Sequence, residues 1–111
     1  MPAEPTLVHD ALFGGRGRVK VWDLMGSARV GPFVAVLACE LEPLGQVGAH
    51  VQEGVAEIVI GTSGFGRAQV DGAVYELQAG AVVPLPLGGV LSIENQSDSE
   101  PLVYLIVKAK P

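Results

Sequence analysis

The residues best suited to chemistry lie in one short segment near the middle of the chain. His50 and Gln52 are separated by one residue, and Glu57 follows after four more. In an extended strand His50 and Gln52 project to the same face, because side chains alternate with a period of two. A turn at residues 53–55 then returns the chain, so that Glu57 faces them from the neighbouring strand. An imidazole, an amide oxygen and a carboxylate are therefore expected to meet in one pocket.

Three interpretations of this pocket stay open at the level of sequence. In a structural role, His50 and Glu57 form a hydrogen-bonded pair that satisfies two buried polar groups. In a binding role, the same pair and Gln52 orient a small polar or anionic molecule against an apolar wall. In an enzyme, the three residues hold a divalent metal, or His50 and Glu57 act without metal as the acid–base couple of an isomerase or lyase. His50 and Glu57 are the candidate catalytic residues.

The elements that must position these side chains are short strands. Apolar residues make up 49% of the 111 residues, and 15 Gly and 8 Pro divide the chain into brief segments. No segment of about ten residues has the 3.6-residue periodicity of a helix, so an all-β domain is predicted. Strands are expected at 19–24, 33–41, 56–61, 66–70, 73–77, 81–84, 89–94 and 102–108. Asp71-Gly72 predicts a two-residue type I′ hairpin, because both positions of that turn need positive φ.

The domain organisation is simple. Residues 1–17 are expected to form a loosely ordered N-terminal lead-in that ends in Gly14-Gly15-Arg16-Gly17, and residues 18–111 a single domain. No repeat or linker divides the chain further. The last predicted strand is apolar on both faces, so it needs a cover on both sides, such as a second sheet or another subunit.

Charge and cysteine usage exclude several classes of protein. Seven basic residues against twelve acidic ones give a net charge of −5, with no basic stripe to bind nucleic acid. The longest uncharged stretch, residues 77–93, contains prolines and glycines and does not predict a membrane helix. The N-terminus lacks the pattern of an export signal, and the lone Cys39 has no internal disulfide partner. A cytoplasmic location is expected, with Cys39 as a small buried hydrophobe.

The spacing of the pocket residues resembles the first motif of the cupin family. That motif is Gly, five residues, His-x-His, three or four residues, Glu, six residues, Gly. Here Gly45 precedes His50 by one residue fewer, Gln52 replaces the second His, and Glu57 and Gly64 fall at the expected distances.

The second cupin motif is Gly, five residues, Pro-x-Gly, two residues, His, three residues, Asn. Gly80, Pro86, Gly88 and Asn95 match this spacing, and Leu91 stands in place of the histidine. The resemblance covers about residues 33–108. It implies a double-stranded β-helix, a jelly-roll barrel of two antiparallel sheets, which commonly pairs as a homodimer.

The departures from the motifs bear on function. The resemblance implies that metal-binding cupins use the positions of His50, Gln52, Glu57 and Leu91. Leucine cannot ligate a metal, and an amide oxygen is a weak ligand beside imidazole. We therefore expect a degenerate metal site and a barrel that binds a small polar or anionic molecule at these four residues.

The sequence fixes no cofactor, and the candidate is a divalent transition metal at His50, Gln52 and Glu57. The alternative function is a zinc-, nickel-, manganese- or iron-dependent isomerase, lyase or dioxygenase with a three-ligand site. Whether the protein is an enzyme stays open from sequence, because the cupin fold serves many reactions.

Overall fold

The computed structural model describes residues 4–111, whose backbone is dominated by β-strands. In chain order these are β1 (Leu7–Asp10), β2 (Arg18–Asp23), β3 (Phe33–Leu41), β4 (Gln46–Val51), β5 (Ala56–Ser63), β6 (Phe65–Val70), β7 (Ala73–Gln78), β8 (Val82–Leu85), β9 (Val90–Asn95) and β10 (Leu102–Ala109). A short 3₁₀ helix, Leu12–Gly14, follows β1. Within residues 4–111, no helix is long and apolar enough to cross a membrane.

The strands form two antiparallel sheets that face each other. The six-stranded sheet has the order β1-β2-β3-β10-β5-β8, and the four-stranded sheet the order β4-β9-β6-β7. Side chains alternate between the interior and the outer surface, as the pleat requires. The interior of the barrel is apolar, and its core is formed by Val19, Val21, Cys39, Leu41, Val47, Val59, Ala68, Val70, Leu77, Val83, Leu85, Leu91, Ile93, Leu102 and Tyr104. This is the all-β jelly-roll barrel that the sequence predicts.

The eight predicted strands are all present, with ends within two residues of the expected positions. The Asp71-Gly72 hairpin is also confirmed, because both residues have positive φ, 50° and 87°. Such a turn matches the right-handed twist of the strands that it joins.

Two strands were not predicted. β4 contains Gly48 and Ala49, which are weak strand formers, so its composition gives little signal. β1 lies in the segment expected to be loosely ordered, yet it pairs with β2 through Leu7 opposite Val21 and His9 opposite Val19. The prediction of a loosely ordered lead-in was therefore wrong for residues 7–10. Residues 1–3 lie outside the described residues, and the domain boundary at residue 17 stays a prediction.

The connection between β4 and β5 differs from the expected hairpin. β4 belongs to the four-stranded sheet and β5 to the six-stranded sheet, so residues 52–55 carry the chain from one sheet to the other. Glu57 therefore approaches His50 across the barrel interior instead of from an adjacent strand.

Candidate functional site

A cavity of about 460 Å³ opens between the inner faces of the two sheets. Its wall includes His50 and Leu91, which lie directly opposite each other on β4 and β9. Gln52 lines the cavity just beyond the end of β4, and Glu57 lines it from the start of β5. The structure thus brings all four sequence-predicted residues to one cavity.

His50 is half-buried and held in a defined orientation. Its Nδ1 lies 3.1 Å from the carbonyl oxygen of Gly48, which can only accept a hydrogen bond. In the neutral imidazole Nδ1 therefore carries the proton, and Nε2 carries a lone pair. The ring of Phe13 stacks on the imidazole with centroids 3.9 Å apart and planes inclined by 13°. His50 thus offers an acceptor at Nε2.

Phe13 reaches His50 because two glycines let the 3₁₀ helix lie directly on β4. A Cβ atom on Gly48 would collide with the carbonyl oxygen of Phe13, and one on Gly15 would collide with that of Gln46. Phe13 itself has φ of 54°, in the left-handed region that disfavours residues with a side chain. Sequence reasoning missed Phe13, because Gly14-Gly15 indicates only a turn and not where that turn packs.

Gln52 is fixed by both its backbone and its amide group. The backbone N–H donates to Gly89 at 2.9 Å, and the backbone carbonyl accepts from Gly88 N–H at 2.8 Å. The side-chain Nε2 donates to the carbonyl oxygen of Val55 at 3.1 Å. No group in residues 4–111 donates a hydrogen bond to Gln52 Oε1, so this oxygen keeps its capacity to accept.

Glu57 is the buried charge of the cavity. Its side chain is 3% exposed, and Oε1 lies 3.8 Å from Nζ of Lys108, whose side chain is 33% exposed. Lys108 is directly opposite Glu57 in the pairing of β5 with β10. Burial raises the pKa of the Glu57 carboxyl above its ordinary value, and the neighbouring ammonium of Lys108 opposes that rise.

The expected hydrogen bond between His50 and Glu57 is not formed. Within the described chain His50 bonds to Gly48, and the charged partner of Glu57 is Lys108. The sequence could not reveal Lys108, because its proximity depends on the register of β10 against β5. The structural interpretation, in which His50 and Glu57 satisfy each other, is therefore wrong in its pairing.

Cys39 and Tyr104 also line the cavity. They are opposite each other on β3 and β10, and each is almost completely buried. Burial raises the pKa of the Cys39 thiol to about 12, with Glu57 adding to the rise and Lys108 opposing it. Burial also raises the pKa of Tyr104 well above its ordinary value, helped by Cys39 and Glu57. Cys39 is thus a protonated, buried thiol, as predicted.

The residues present do not fit a metal ion. No group of three or more His, Cys, Asp and Glu side chains in the described residues is arranged to hold one. Leu91, 1% exposed, fills the position opposite His50 with an alkyl group. Glu57, the strongest candidate ligand, lies beside the ammonium of Lys108, which would repel a divalent cation.

Comparisons with known proteins show the fold clearly. No family model matches the sequence, and no curated protein matches it significantly. Among solved structures, a Thermotoga maritima protein described as a predicted oxalate decarboxylase is similar with a TM-score of 0.88 and 26% identity, over 98% of this chain and 95% of that chain. A cupin 2 conserved barrel domain protein from Salinispora arenicola is similar with a TM-score of 0.71 and 29% identity, over 83% of this chain and 76% of that one.

A third similar structure is a cupin-like protein from Thermotoga maritima, with a TM-score of 0.76 and 22% identity, over 98% of this chain and 80% of that one. The two facing sheets and the cavity between them define a jelly-roll barrel of the double-stranded β-helix type. Together with these neighbours, they show that the chain has the fold of small cupin proteins.

Proposed function

We propose that the barrel cavity binds a small polar molecule that carries hydrogen-bond donors. The observation that supports this is a set of unfilled acceptors on the cavity wall. His50 Nε2, Gln52 Oε1 and the Glu57 carboxylate have no hydrogen-bond donor within residues 4–111. Because these three residues line the cavity, a ligand in it can donate hydrogen bonds to their free acceptors.

The size and lining of the cavity agree with this proposal. Its volume of about 460 Å³ lies in the range of small-molecule sites, which combine apolar walls with a few polar groups. Val21, Leu37, Leu91 and Ile106 supply apolar wall on several sides. Hydroxyl or amino groups on the ligand would then face the acceptors, and its carbon skeleton would contact these residues.

A metal-dependent isomerase, lyase or dioxygenase has less support. Similar structures include one described as a predicted oxalate decarboxylase and one described as a sugar phosphate isomerase, but those descriptions belong to those proteins. In this chain, Leu91 replaces one expected ligand and Lys108 competes for another. A site with one imidazole, one amide oxygen and one paired carboxylate is a poor metal site.

A thermal-unfolding screen in the presence of EDTA tests the binding proposal. D-glucose, D-glucosamine and D-gluconate are suitable first probes because they share a six-carbon skeleton and differ in charge, and pentoses and linear polyols extend the series. A bound probe at saturation is expected to raise Tm by about 5 °C or more. Glu57→Gln should weaken this effect, whereas Glu40→Gln, on the outer face of β3, should not.

Two outcomes contradict the proposal. The first is that no donor-bearing probe in the extended series raises Tm. The second is that Glu57→Gln and Gln52→Ala respond to the probe as the parent protein does.

Elemental mass spectrometry on the purified protein tests the metal-dependent alternative in parallel. Near-stoichiometric metal that disappears in the His50→Ala, Glu57→Ala double variant would favour the metal-dependent alternative.

We also propose that the protein pairs as a homodimer through the outer face of the six-stranded sheet. Val36, Ile60, Leu105 and Val107 lie next to one another there on β3, β5 and β10. The exposed Val34, Ile58 and Val82 extend this apolar surface. A two-fold contact would bury it against its own copy, because such an interface uses the same patch on both subunits.

Light scattering during size-exclusion chromatography measures the molar mass of the protein and so tests this pairing. Leu105→Glu places a charge at the centre of the apolar surface and is expected to give a monomer. Val74→Glu is the control, because Val74 is an exposed apolar residue on β7 of the other sheet. A parent protein that elutes as a monomer at high concentration would refute the dimer.

A further inference from the structure

The positive charge beside the buried carboxylate of the cavity comes from the chain itself. The family resemblance places a metal at the position of Glu57, but the residues present do not fit one. Instead, Lys108 brings an ammonium to within 3.8 Å of Glu57. We propose that Lys108 takes the place of the metal cation at this position, and that a neutral hydroxyl group of the ligand bridges Lys108 and Glu57.

The position of Lys108 supports the first half of this proposal. Its neighbours across β10 are Glu57 on β5 and Ala35 on β3, so Glu57 is the carboxylate that it meets in the sheet. In residues 4–111, no other carboxylate forms an ion pair with it. A buried carboxylate needs a compensating charge, and Lys108 supplies one without any cofactor.

The distance between the two groups supports the second half. At 3.8 Å, Lys108 Nζ and Glu57 Oε1 attract each other as charges but are too far apart for a hydrogen bond. The ammonium has three N–H donors, and the carboxylate has several lone pairs. A hydroxyl group satisfies both at once, because its oxygen accepts from Lys108 and its proton is donated to Glu57.

This arrangement selects among ligand head groups. An ammonium group on the ligand would be attracted by Glu57 but repelled by Lys108, and a carboxylate would meet the reverse. A hydroxyl group carries no charge and pairs with both residues. This half of the inference rests on the proposed binding function, and it narrows the ligand class to neutral hydroxyl compounds such as polyols and sugars.

Metal titration tests the role of Lys108 without needing the ligand. Zn²⁺ and Ni²⁺ are added to the metal-free protein, and binding is followed by calorimetry and by the shift in Tm. Lys108→Met removes the ammonium but keeps most of the side-chain length, and is expected to bind these metals about tenfold more tightly than the parent. Lys108→Arg keeps the cation and should bind no more tightly than the parent.

The controls separate this effect from folding and from general charge. Lys110→Met removes a lysine on an exposed position of the same chain end and should leave metal affinity unchanged. Glu57→Gln in the Lys108→Met background should abolish the gain, because Glu57 is the ligand that the substitution releases. Equal metal affinity in the parent and in folded Lys108→Met would refute the role of Lys108 as the replacing cation.

Matched sugars test the head group. D-glucose, D-glucosamine and D-gluconate have the same carbon skeleton and carry a neutral, a cationic and an anionic group, respectively. Among them the neutral sugar is expected to raise Tm most, and Lys108→Met should weaken its binding about tenfold. Stronger binding of the amino sugar or of the aldonate would overturn the hydroxyl bridge while leaving the proposed binding function intact. If none of these sugars binds, the metal titration still decides the role of Lys108.

Discussion

Buried polar side chains lie both at the cavity and at the end of β9, and these two places differ in how completely the polar atoms have hydrogen-bond partners. At the end of β9, Asn95 is 1% exposed. Its Nδ2 donates to the carbonyl oxygens of Leu41, Glu42 and Glu100 at 2.9–3.1 Å, and its Oδ1 accepts from Ser97 N–H at 3.0 Å. At the cavity, Glu57 has a single charged neighbour at 3.8 Å and no hydrogen bond within the described residues.

The difference separates a structural polar group from a binding one. Asn95 ties the loop at residues 96–100 to the end of β3, and both the nitrogen and the oxygen of its amide already have partners in the chain. The cavity residues retain acceptors that face an open volume. Both places belong to the cupin motifs, so membership of a motif does not by itself indicate binding. What indicates binding is a polar atom that faces the cavity and has no hydrogen-bond partner in the chain.

The largest effect that tests this comparison is the reactivity of Cys39, which is buried in the wall of the same cavity. A pKa of about 12 leaves almost no thiolate at pH 8. The native thiol should therefore react with a disulfide reagent at least about a thousandfold more slowly than the urea-unfolded chain. Reaction rates followed by absorbance measure this. Rapid labelling of the native protein would show that water and reagents reach the buried wall of the cavity.

The next effect concerns Asn95 at the end of β9, where the buried polar group has hydrogen-bond partners. Asn95→Ala removes a buried amide and leaves several backbone groups without partners, so the free energy of unfolding should fall by about 3 kcal/mol. Urea unfolding measures the loss. Gln96→Ala, at the adjacent half-buried position, is the control and should cost well under half as much. A loss below about 1 kcal/mol for Asn95→Ala would mean that water replaces its hydrogen bonds easily.

A smaller effect is expected at the cavity, where Glu57 makes the free energy of unfolding fall as pH rises. The pKa of Glu57 is raised in the folded protein above its ordinary value of 4.5, mainly by burial. The folded state therefore holds this proton more tightly than the unfolded state. Stability from this group is greatest below pH 4.5 and falls as pH rises from there through the folded-state pKa.

Glu57→Gln removes this dependence. Its stability relative to the parent should increase as pH rises above 4.5, and at neutral pH the variant should be more stable by about 1 kcal/mol. Urea unfolding from pH 4 to pH 8 measures the difference, with Glu40→Gln as the control. A variant that is less stable than the parent at neutral pH would show that the ion pair with Lys108 outweighs the cost of burying the carboxylate.

The last effect concerns Phe13, which covers His50 from the N-terminal segment. Phe13→Ala loses the stack on His50 but keeps the left-handed backbone, whereas Phe13→Gly loses the stack and relieves that conformation. The glycine variant should therefore be more stable than the alanine variant by about 1 kcal/mol. Thermal unfolding of the pair measures this. The opposite order would mean that this loop changes its backbone conformation when the ring is removed.

The strand pattern and much of the candidate site could be predicted from the sequence. Short apolar segments between turn residues predicted eight of the strands, and Asp71-Gly72 predicted its hairpin, because both signals are local. The spacing of His50, Gln52 and Glu57, and its resemblance to the cupin motif, predicted that these side chains line one cavity. β1 and β4 escaped prediction because their composition is weak and their formation depends on pairing with strands that lie elsewhere in the chain.

By itself, the sequence determined the all-β class, the turns and the residue types that line the cavity. Only the tertiary structure decided which polar side chains in the cavity are partners of one another. Glu57 pairs with Lys108 and not with His50, because residues 52–55 carry the chain to the other sheet and the register of β10 places Lys108 opposite Glu57. Local alternation fixes the face on which a side chain lies, whereas its partner across a sheet depends on the register between strands far apart in sequence.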